Sequence, residues 1–256
     1  EDGLCQNTVC CILQDHLGFI WLGTKDGLTR YDGYRFRVFK HDAADPMSIG
    51  NNFIRVLYED ADGLIWIGTN VGVYIYNPET ENFRKFDVAT ERGDVISREV
   101  SSIKCDSSGD LWIGVNWQGV FRYDRRDESL ELYEPVPGDT TSLSSVHVWD
   151  LCFDGDGNLW VGSQNGGLDR YDRETDRFVR HRLKGLSDVS RIVLDKQNQL
   201  LLGTMKDGLF SFNPYMGTCQ PLLLDSGHKD LFVRAIFVRN SREVVVGTEN
   251  GIYIYD

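Results

Sequence analysis

One short stretch constrains this chain more than any other. "FIWLGTKDGLTRYD", residues 19 to 32, returns five more times. It recurs as "LIWIGTNVGVYIYN" (64 to 77), "DLWIGVNWQGVFRYD" (110 to 124) and "NLWVGSQNGGLDRYD" (158 to 172), then in two decayed copies, "QLLLGTMKDGLFSFN" (199 to 213) and "EVVVGTENGIYIYD" (243 to 256). The reference glycines Gly23, Gly68, Gly114, Gly162, Gly203 and Gly247 stand 45, 46, 48, 41 and 44 residues apart. A period in this range means stacked or radial supersecondary units, each too small to bury its own apolar face. The repeat runs nearly end to end, so 1–256 reads as one repetitive body.

Within a unit the chain makes four short extended runs. The first unit shows them best, at 8 to 14, 19 to 24, 27 to 31 and 35 to 40. They are rich in Val, Ile, Trp, Tyr and Phe and are separated by Asp, Asn and Gly, which is strand and hairpin chemistry. No stretch sustains an apolar 3.6-residue period. Asp-x-x-Gly joins the first two runs (Asp15 to Gly18, Asp60 to Gly63, Asp106 to Gly109, Asp154 to Gly157), the aspartate bonding the amides ahead of it and the glycine taking a positive φ. In the fifth copy Asn198 replaces the glycine; the sixth has Arg239 and Arg242 there and must turn differently.

Three residues past that glycine stands Trp21, Trp66, Trp112 or Trp160, with Leu201 and Val245 in the last two copies. A ring exchangeable with aliphatics at a fixed position is what packing between facing sheets requires. Gly23, Gly68, Gly114 and Gly162, two residues further on, allow a neighbour to approach closely. These residues are assigned to structure. Four-stranded units of this length without helices predict an all-β fold, a β-propeller with blades near 8–40, 53–87, 99–134, 147–183, 188–224 and 232–256, the last lacking its fourth strand.

The pattern Asp-x-x-Gly-x-x-Trp-[Ile/Leu/Val]-Gly-Thr-x-x-Gly-[Leu/Val]-x-x-Tyr-Asp strongly resembles the two-component regulator propeller repeat, and does so over essentially the whole chain. The resemblance implies the periplasmic sensor of a hybrid two-component system of Bacteroidetes. In that family two seven-bladed propellers and a β-sandwich precede a membrane helix, a histidine kinase and a receiver with a DNA-binding output domain. The start of the chain looks like the first repeat after the signal peptide of such sensors. With six motifs present, a truncated part of a seven-bladed propeller is expected, and a ring closed with six blades is the rival. The implied partners are an oligosaccharide, the second propeller and β-sandwich of the same ectodomain, and a second subunit in a homodimer; the membrane is met only through the full-length protein.

Composition removes some alternatives. The formal net charge is −12 with Lys and Arg scattered, so the footprint of a nucleic-acid binder is missing. No run of about 18 apolar residues exists. The six cysteines (Cys5, Cys10, Cys11, Cys105, Cys152, Cys219) form no C-x-x-C pair; those in first strands read as small buried hydrophobes, and a disulfide pair cannot be nominated. "DGDGN" (154 to 158) suggests a calcium loop, but Leu159 stands at the sixth position and Asn165 at the twelfth, so it reads as the blade turn. There is no G-x-S-x-G, no H-E-x-x-H, and the turns lack the Ser and Thr-Trp of the sialidase repeat; streptogramin lyases share only a Trp-x-Gly pattern. No catalytic residue, cofactor or metal is expected in this segment.

A ligand would sit on the face formed by the loops between second and third strands and by the longer inter-blade loops, near 41–52, 87–98, 134–147, 181–188 and 223–231. The repeat explains four of six tryptophans, leaving Trp117 in "VNWQG" and Trp149 in "SSVHVWD". Flat rings bind the C–H face of a sugar while amides, Arg and His meet its hydroxyls. Around the two rings the candidates are Arg55, Arg98, Asn116, Gln118, His147, Gln164 and Asn165. Trp149 could equally be first-strand core and Trp117 an interface residue. Arg191 and Arg234, early in their first strands, could line a channel or pair with local carboxylates. The alternatives to a sensor are a protein-interaction or dimerisation scaffold and, behind it, a propeller lyase or hydrolase.

Overall fold

The computed structural model describes residues 3–183, 186, 188–222 and 231–255. Those residues form strands and connecting loops with no helix, and hence no helix long and apolar enough to cross a membrane. Blade 1 is β1 (Val9–Gln14), β2 (Ile20–Thr24), β3 (Gly27–Tyr31) and β4 (Phe36–Phe39); blade 2 is β5 (Ile54–Glu59), β6 (Ile65–Thr69), β7 (Gly72–Asn77) and β8 (Asn82–Lys85). Blade 3 is β9 (Val100–Cys105), β10 (Leu111–Val115), β11 (Gly119–Asp124) and β12 (Ser129–Tyr133). Blade 4 is β13 (Val148–Phe153), β14 (Leu159–Ser163), β15 (Gly167–Asp172) and β16 (Arg177–His181); blade 5 is β17 (Arg191–Leu194), β18 (Leu200–Gly203), β19 (Leu209–Asn213) and β20 (Thr218–Leu222). Blade 6 is β21 (Val233–Val238), β22 (Val244–Thr248) and β23 (Gly251–Tyr255), three strands among the described residues. Every sheet is antiparallel with its strands in chain order, the β-propeller blade expected from the repeat. The chain divides into two compact units, 1–132 and 133–256.

The turn and the tryptophan are one device, a link that the pattern alone does not reveal. In blade 2, Asp60 Oδ1 accepts the amides of Asp62 and Leu64 (3.0 Å each), closing the turn, while Oδ2 accepts the indole N–H of Trp66 at 2.8 Å. Trp21 donates to Asp15 (2.8 Å), Trp112 to Asp106 (3.1 Å) and Trp160 to Asp154 (2.8 Å) in the same way. All four rings are buried, so the carboxylate supplies the one polar contact that a buried indole needs. Asp195 keeps the turn bonds, to Gln197 and Gln199, where Leu201 has no N–H to donate. The sixth turn differs as expected: Asn240 Oδ1 accepts the amides of Arg242 and Glu243. Gly18, Gly63, Gly109 and Gly157 have φ between 76° and 94°, and Asn198 follows them at 60°.

Within the units, Trp21, Trp66 and Trp160 are spent on the seam with the next blade. Trp21 lies 5.1 Å from Tyr76 and 5.8 Å from Phe39 (ring centroids), in a cluster that includes Ile54 and Leu57 of β5. Trp66 packs with Phe86 and, across its own seam, with Val100 and Ile103 of β9. In the second unit Trp160 meets Phe212 and His181 at 5.3 and 5.0 Å. The motif glycine is pressed both by the first strand of its own blade and by that of the next. A Cβ on Gly68 would stand 2.7 Å from a Val100 methyl, and one on Gly203 2.6 Å from a Val233 methyl. Gly247 has no such neighbour, its nearest contact being Ala235 of its own blade at 3.6 Å.

Each unit also leaves one seam surface uncovered. In the first, Ile12 is 67% exposed where its register partners Leu57 and Ile103 are buried. In the second, Ile252 is 77% exposed where Leu168 and Leu209 are buried. All six cysteines are free thiols. Cys152 is buried, and Cys11 is shielded enough that burial pushes its thiol up to about 12, so these two behave as hydrophobes, while Cys10 is exposed.

Candidate ligand-binding face

The inner strands carry a repeated irregularity. The β1/β2, β5/β6, β9/β10, β13/β14 and β21/β22 ladders each skip one residue, namely Cys10, Arg55, Ser101, Trp149 and Arg234. A bulged residue is released from pairing and re-aimed, which is how sheets present functional side chains. In blade 5 the corresponding place beside the Gly203 carbonyl belongs to Ser190, which is buried. Opposite the bulge, Thr24, Thr69, Thr204 and Thr248 lock the hairpin between second and third strands by donating from Oγ1 to a glycine carbonyl. Blade 3 has Val115 there, and its hairpin holds Trp117 at φ 70°. The left-handed region costs a bulky L-residue about 1 kcal/mol, and such strain persists where surroundings impose it, often at functional sites.

In the first unit the structure gathers five candidates around residues 95–99. Arg55 donates from Nε to Asn70 Oδ1 (2.8 Å), pairs with Glu99 (2.9 Å) and lies over the Phe53 ring at 4.3 Å. The Asn116 amide donates to the Glu99 carbonyl (2.8 Å). Gln118 is consumed by structure, accepting from the Ser97 amide and donating to the Val95 carbonyl. Arg98 is exposed, and Trp117, between Asn116 and Gln118, is 65% exposed. Arg55 is thus a paired and stacked strut of the inner strand.

In the second unit Trp149 is half-buried on its bulge, its ring edge-on to Phe232 at 6.0 Å, and its Nε1–H is buried without an acceptor among the described residues. His147 and Gln164 meet through their backbones (3.0 Å), and Asn165, at φ 58°, donates its amide to Asp188. Arg234 pairs with Glu249 and stacks on Phe232 at 3.7 Å, so its carboxylate-pairing reading holds. Arg191 donates to the backbone carbonyls of Arg234 (2.7 Å) and Ser190 (2.7 Å), a brace rather than a charge lining a channel. Trp117 and Trp149 belong to different units, and each is placed only within its own. Sequence reasoning passed over Phe53, Glu99, Phe232 and Glu249. The signal was there: "FIR" (53 to 55) and "FVR" (232 to 234) put a Phe two residues before a bulged Arg in both cases.

Three other features are accounted for by the scaffold. Asp154, in the "DGDGN" stretch, has its oxygens taken by the Trp160 indole, the Asp156 and Asn158 amides and the Asn158 side chain; among the described residues no cluster of three metal-ligating side chains occurs. A cleft of about 800 Å³ in the second unit is lined by Leu201, Leu222, Val244 and Tyr255 with polar residues at its rim. Leu201, Leu222 and Tyr255 hold the register positions of Trp21, Phe39 and Tyr76, and nothing holds that of Phe83, so the cleft is an incompletely filled seam. Asp169 is fully buried, its carboxyl pushed up to about 6 by desolvation against two bonds from Ser144. The inter-blade loops expected near 181–188 and 223–231 fall partly, through 184, 185, 187 and 223–230, outside the described residues, as do His228 and Asp256.

Comparison with known proteins agrees with this architecture. The family model described as "two component regulator propeller" matches residues 3–26, 48–71 and 142–165, each spanning a first strand and the hairpin after it. A histidine kinase of Formosa agariphila is 44% identical over 48 residues, 19% of this chain and 4% of that protein. The extracellular domain of a hybrid two-component system of B. thetaiotaomicron superposes with a TM-score of 0.84 at 27% identity, over 100% of this chain and 34% of that one. A second B. thetaiotaomicron extracellular domain, at 23% identity and TM-score 0.85, covers 99% of this chain and 36% of its own and shows the shared fold. The chain thus spans about a third of the ectodomains it resembles and a small part of the kinase. Three of its repeats match the two-component regulator propeller model, and over its whole length the chain is similar to the extracellular domain of a hybrid two-component system.

Proposed function

We propose that this chain is the ligand-sensing propeller, or part of it, from the ectodomain of a hybrid two-component system, that it recognises an oligosaccharide released from a glycan, and that it performs no catalysis itself. One observation carries the reading: a sensor ectodomain matches the chain from end to end at 27% identity. The extracellular placement of that relative supports a periplasmic location here. In this reading Trp117 and Trp149 are the sugar platforms, since they are the two indoles that the Asp–Trp device does not use, and Arg98, Asn116, Gln164 and Asn165 stand beside them. Occupancy reaches the kinase only if the ligand binds one arrangement of the ectodomain more tightly than another. The structural partners in this reading are the second propeller, the β-sandwich and a second subunit.

A glycan array probed with the full chain, repeated with Trp117→Ala and Trp149→Ala, tests this. The expected result is saccharide binding that at least one variant loses while remaining folded. A folded chain that binds no glycan but captures a protein partner would replace the sensor with a scaffold, and product formation from any saccharide would replace it with an enzyme.

A further inference from the structure

Resting on the sensor reading above, we infer that Trp149, Phe232, Arg234 and Glu249 form a subsite for an uncharged pyranose unit. The chain makes one construction twice. In "FIR" and in "FVR" the arginine occupies the inner-strand bulge and lays its guanidinium over the phenylalanine two residues before it, and a residue of the hairpin between second and third strands holds it from the side, Asn70 in one case and Glu249 in the other. The first copy is closed: Arg55 is tied on both sides, by Asn70 and by Glu99, and its side chain is 33% exposed. In the second, Arg234 pairs with Glu249, and the two side chains are 52% and 55% exposed.

The second copy also acquires a second ring. The neighbouring blade offers the small, buried Ser190 at its bulge position, so Trp149 reaches past it to meet Phe232 edge-on. The floor of the site is braced before any ligand arrives. Ser190 Oγ donates to the Val233 carbonyl (3.0 Å) and Arg191 Nε to the Arg234 carbonyl (2.7 Å), fixing the bulge that carries Arg234. Preorganisation of this kind lowers the ordering cost of binding. The Trp149 Nε1–H, shielded and unpartnered among the described residues, marks the place where the fold leaves a donor unmatched.

The chemistry of these groups selects the ligand. Two rings at an angle offer apolar surface to the C–H face of a sugar, while an exposed Arg–Glu pair offers donors and acceptors side by side, the complement of vicinal hydroxyls. An anionic saccharide is disfavoured because the one guanidinium on the rings is already matched by Glu249, and because the chain carries a formal charge of −12.

Calorimetric titration of the full chain with a panel of neutral hexose and pentose oligosaccharides, and in parallel with uronate oligosaccharides, provides the test. A neutral saccharide should bind, and Trp149→Ala and Arg234→Gln should each weaken it about tenfold or more, as truncation of an aromatic or arginine anchor does. Circular dichroism confirms that each variant is folded; if Trp149→Ala is not, Trp149→Phe and Arg234→Gln carry the comparison. Uronate binding alone, or neutral binding that neither variant alters, overturns this subsite while leaving saccharide sensing in place. Absence of any saccharide binding overturns both.

Discussion

The Asp–Trp device makes a quantitative prediction, because the second unit contains its own control. In blade 4, Asp154 Oδ1 accepts the Asp156 and Asn158 amides at 3.0 and 2.9 Å, and Oδ2 accepts the Trp160 indole at 2.8 Å. In blade 5, Asp195 accepts the equivalent amides of Gln197 and Gln199 at 2.8 and 2.7 Å, but Leu201 stands where the indole would be. Replacing either aspartate with alanine loses two turn bonds whose amides lie near solvent, costing about 1 kcal/mol in total. Asp154→Ala additionally leaves a buried indole N–H unmatched, a desolvation penalty of about 1–3 kcal/mol. The expected destabilisations are therefore about 3 kcal/mol for Asp154→Ala and about 1 kcal/mol for Asp195→Ala. For a chain of this size each kcal/mol lowers Tm by about 2–4 °C. Urea unfolding followed by tryptophan fluorescence and circular dichroism measures both. A Trp160→Phe background should remove most of the excess cost of Asp154→Ala, since no donor remains to be stranded. Equal effects of the two aspartates, or an unchanged excess in that background, would show that the carboxylate serves the turn alone.

Three further outcomes follow from other residues. Gly68→Ala should destabilise by about 1–3 kcal/mol because its Cβ would meet Val56 and Val100 methyls at 2.4 and 2.7 Å, whereas Gly247→Ala should change stability by no more than about 0.5 kcal/mol; thermal melts compare them. The Asp169 carboxyl, raised to about 6 when folded from an ordinary 3.8, binds its proton more tightly in the folded state, so its contribution to stability is greatest below pH 4, falls as pH rises from about 4 to about 6 and is then flat; Asp169→Asn should remove that slope from stability measured against pH. Trp117→Gly should relieve the left-handed strain at φ 70° and hold or raise Tm, while abolishing any saccharide binding that uses the Trp117 face; a fall of several degrees would show that the indole is structural.

The blade was legible because its physics repeats. Alternation, Asp-x-x-Gly and the Trp-x-Gly spacing recur, and the strands expected at 8 to 14, 19 to 24, 27 to 31 and 35 to 40 form within a residue or so of those limits. The Asp–Trp bond was legible too, though unread: Asp and Trp stand six apart in four copies, and the copies that lose the indole are the ones whose turn has drifted. The binding face was only half legible. Trp117 and Trp149 stand out by subtraction from the repeat, but their surroundings depend on where the inner ladder skips a residue, and a bulge has no composition of its own. That is why Arg55 and Arg234, alike in sequence as Phe-x-Arg, differ in structure: Arg55 is held by Asn70 and Glu99, Arg234 by Glu249. Gln118 and Arg191, polar residues on the right loops and strands, turn out to be fastenings, which only their partners could reveal.

Function, in this reading, resides in Trp117 and Trp149, the two indoles outside the Asp–Trp device. Fluorescence titration of the full chain with the saccharide selected by the array tests it most directly, using Trp66→Phe as a seam control beside Trp117→Phe and Trp149→Phe. The account predicts a saturable signal that survives in the Trp66 variant and is lost or sharply reduced when Trp117 or Trp149 is replaced. A signal unchanged in both of those variants, or no signal from a folded chain at saturating saccharide, would contradict it.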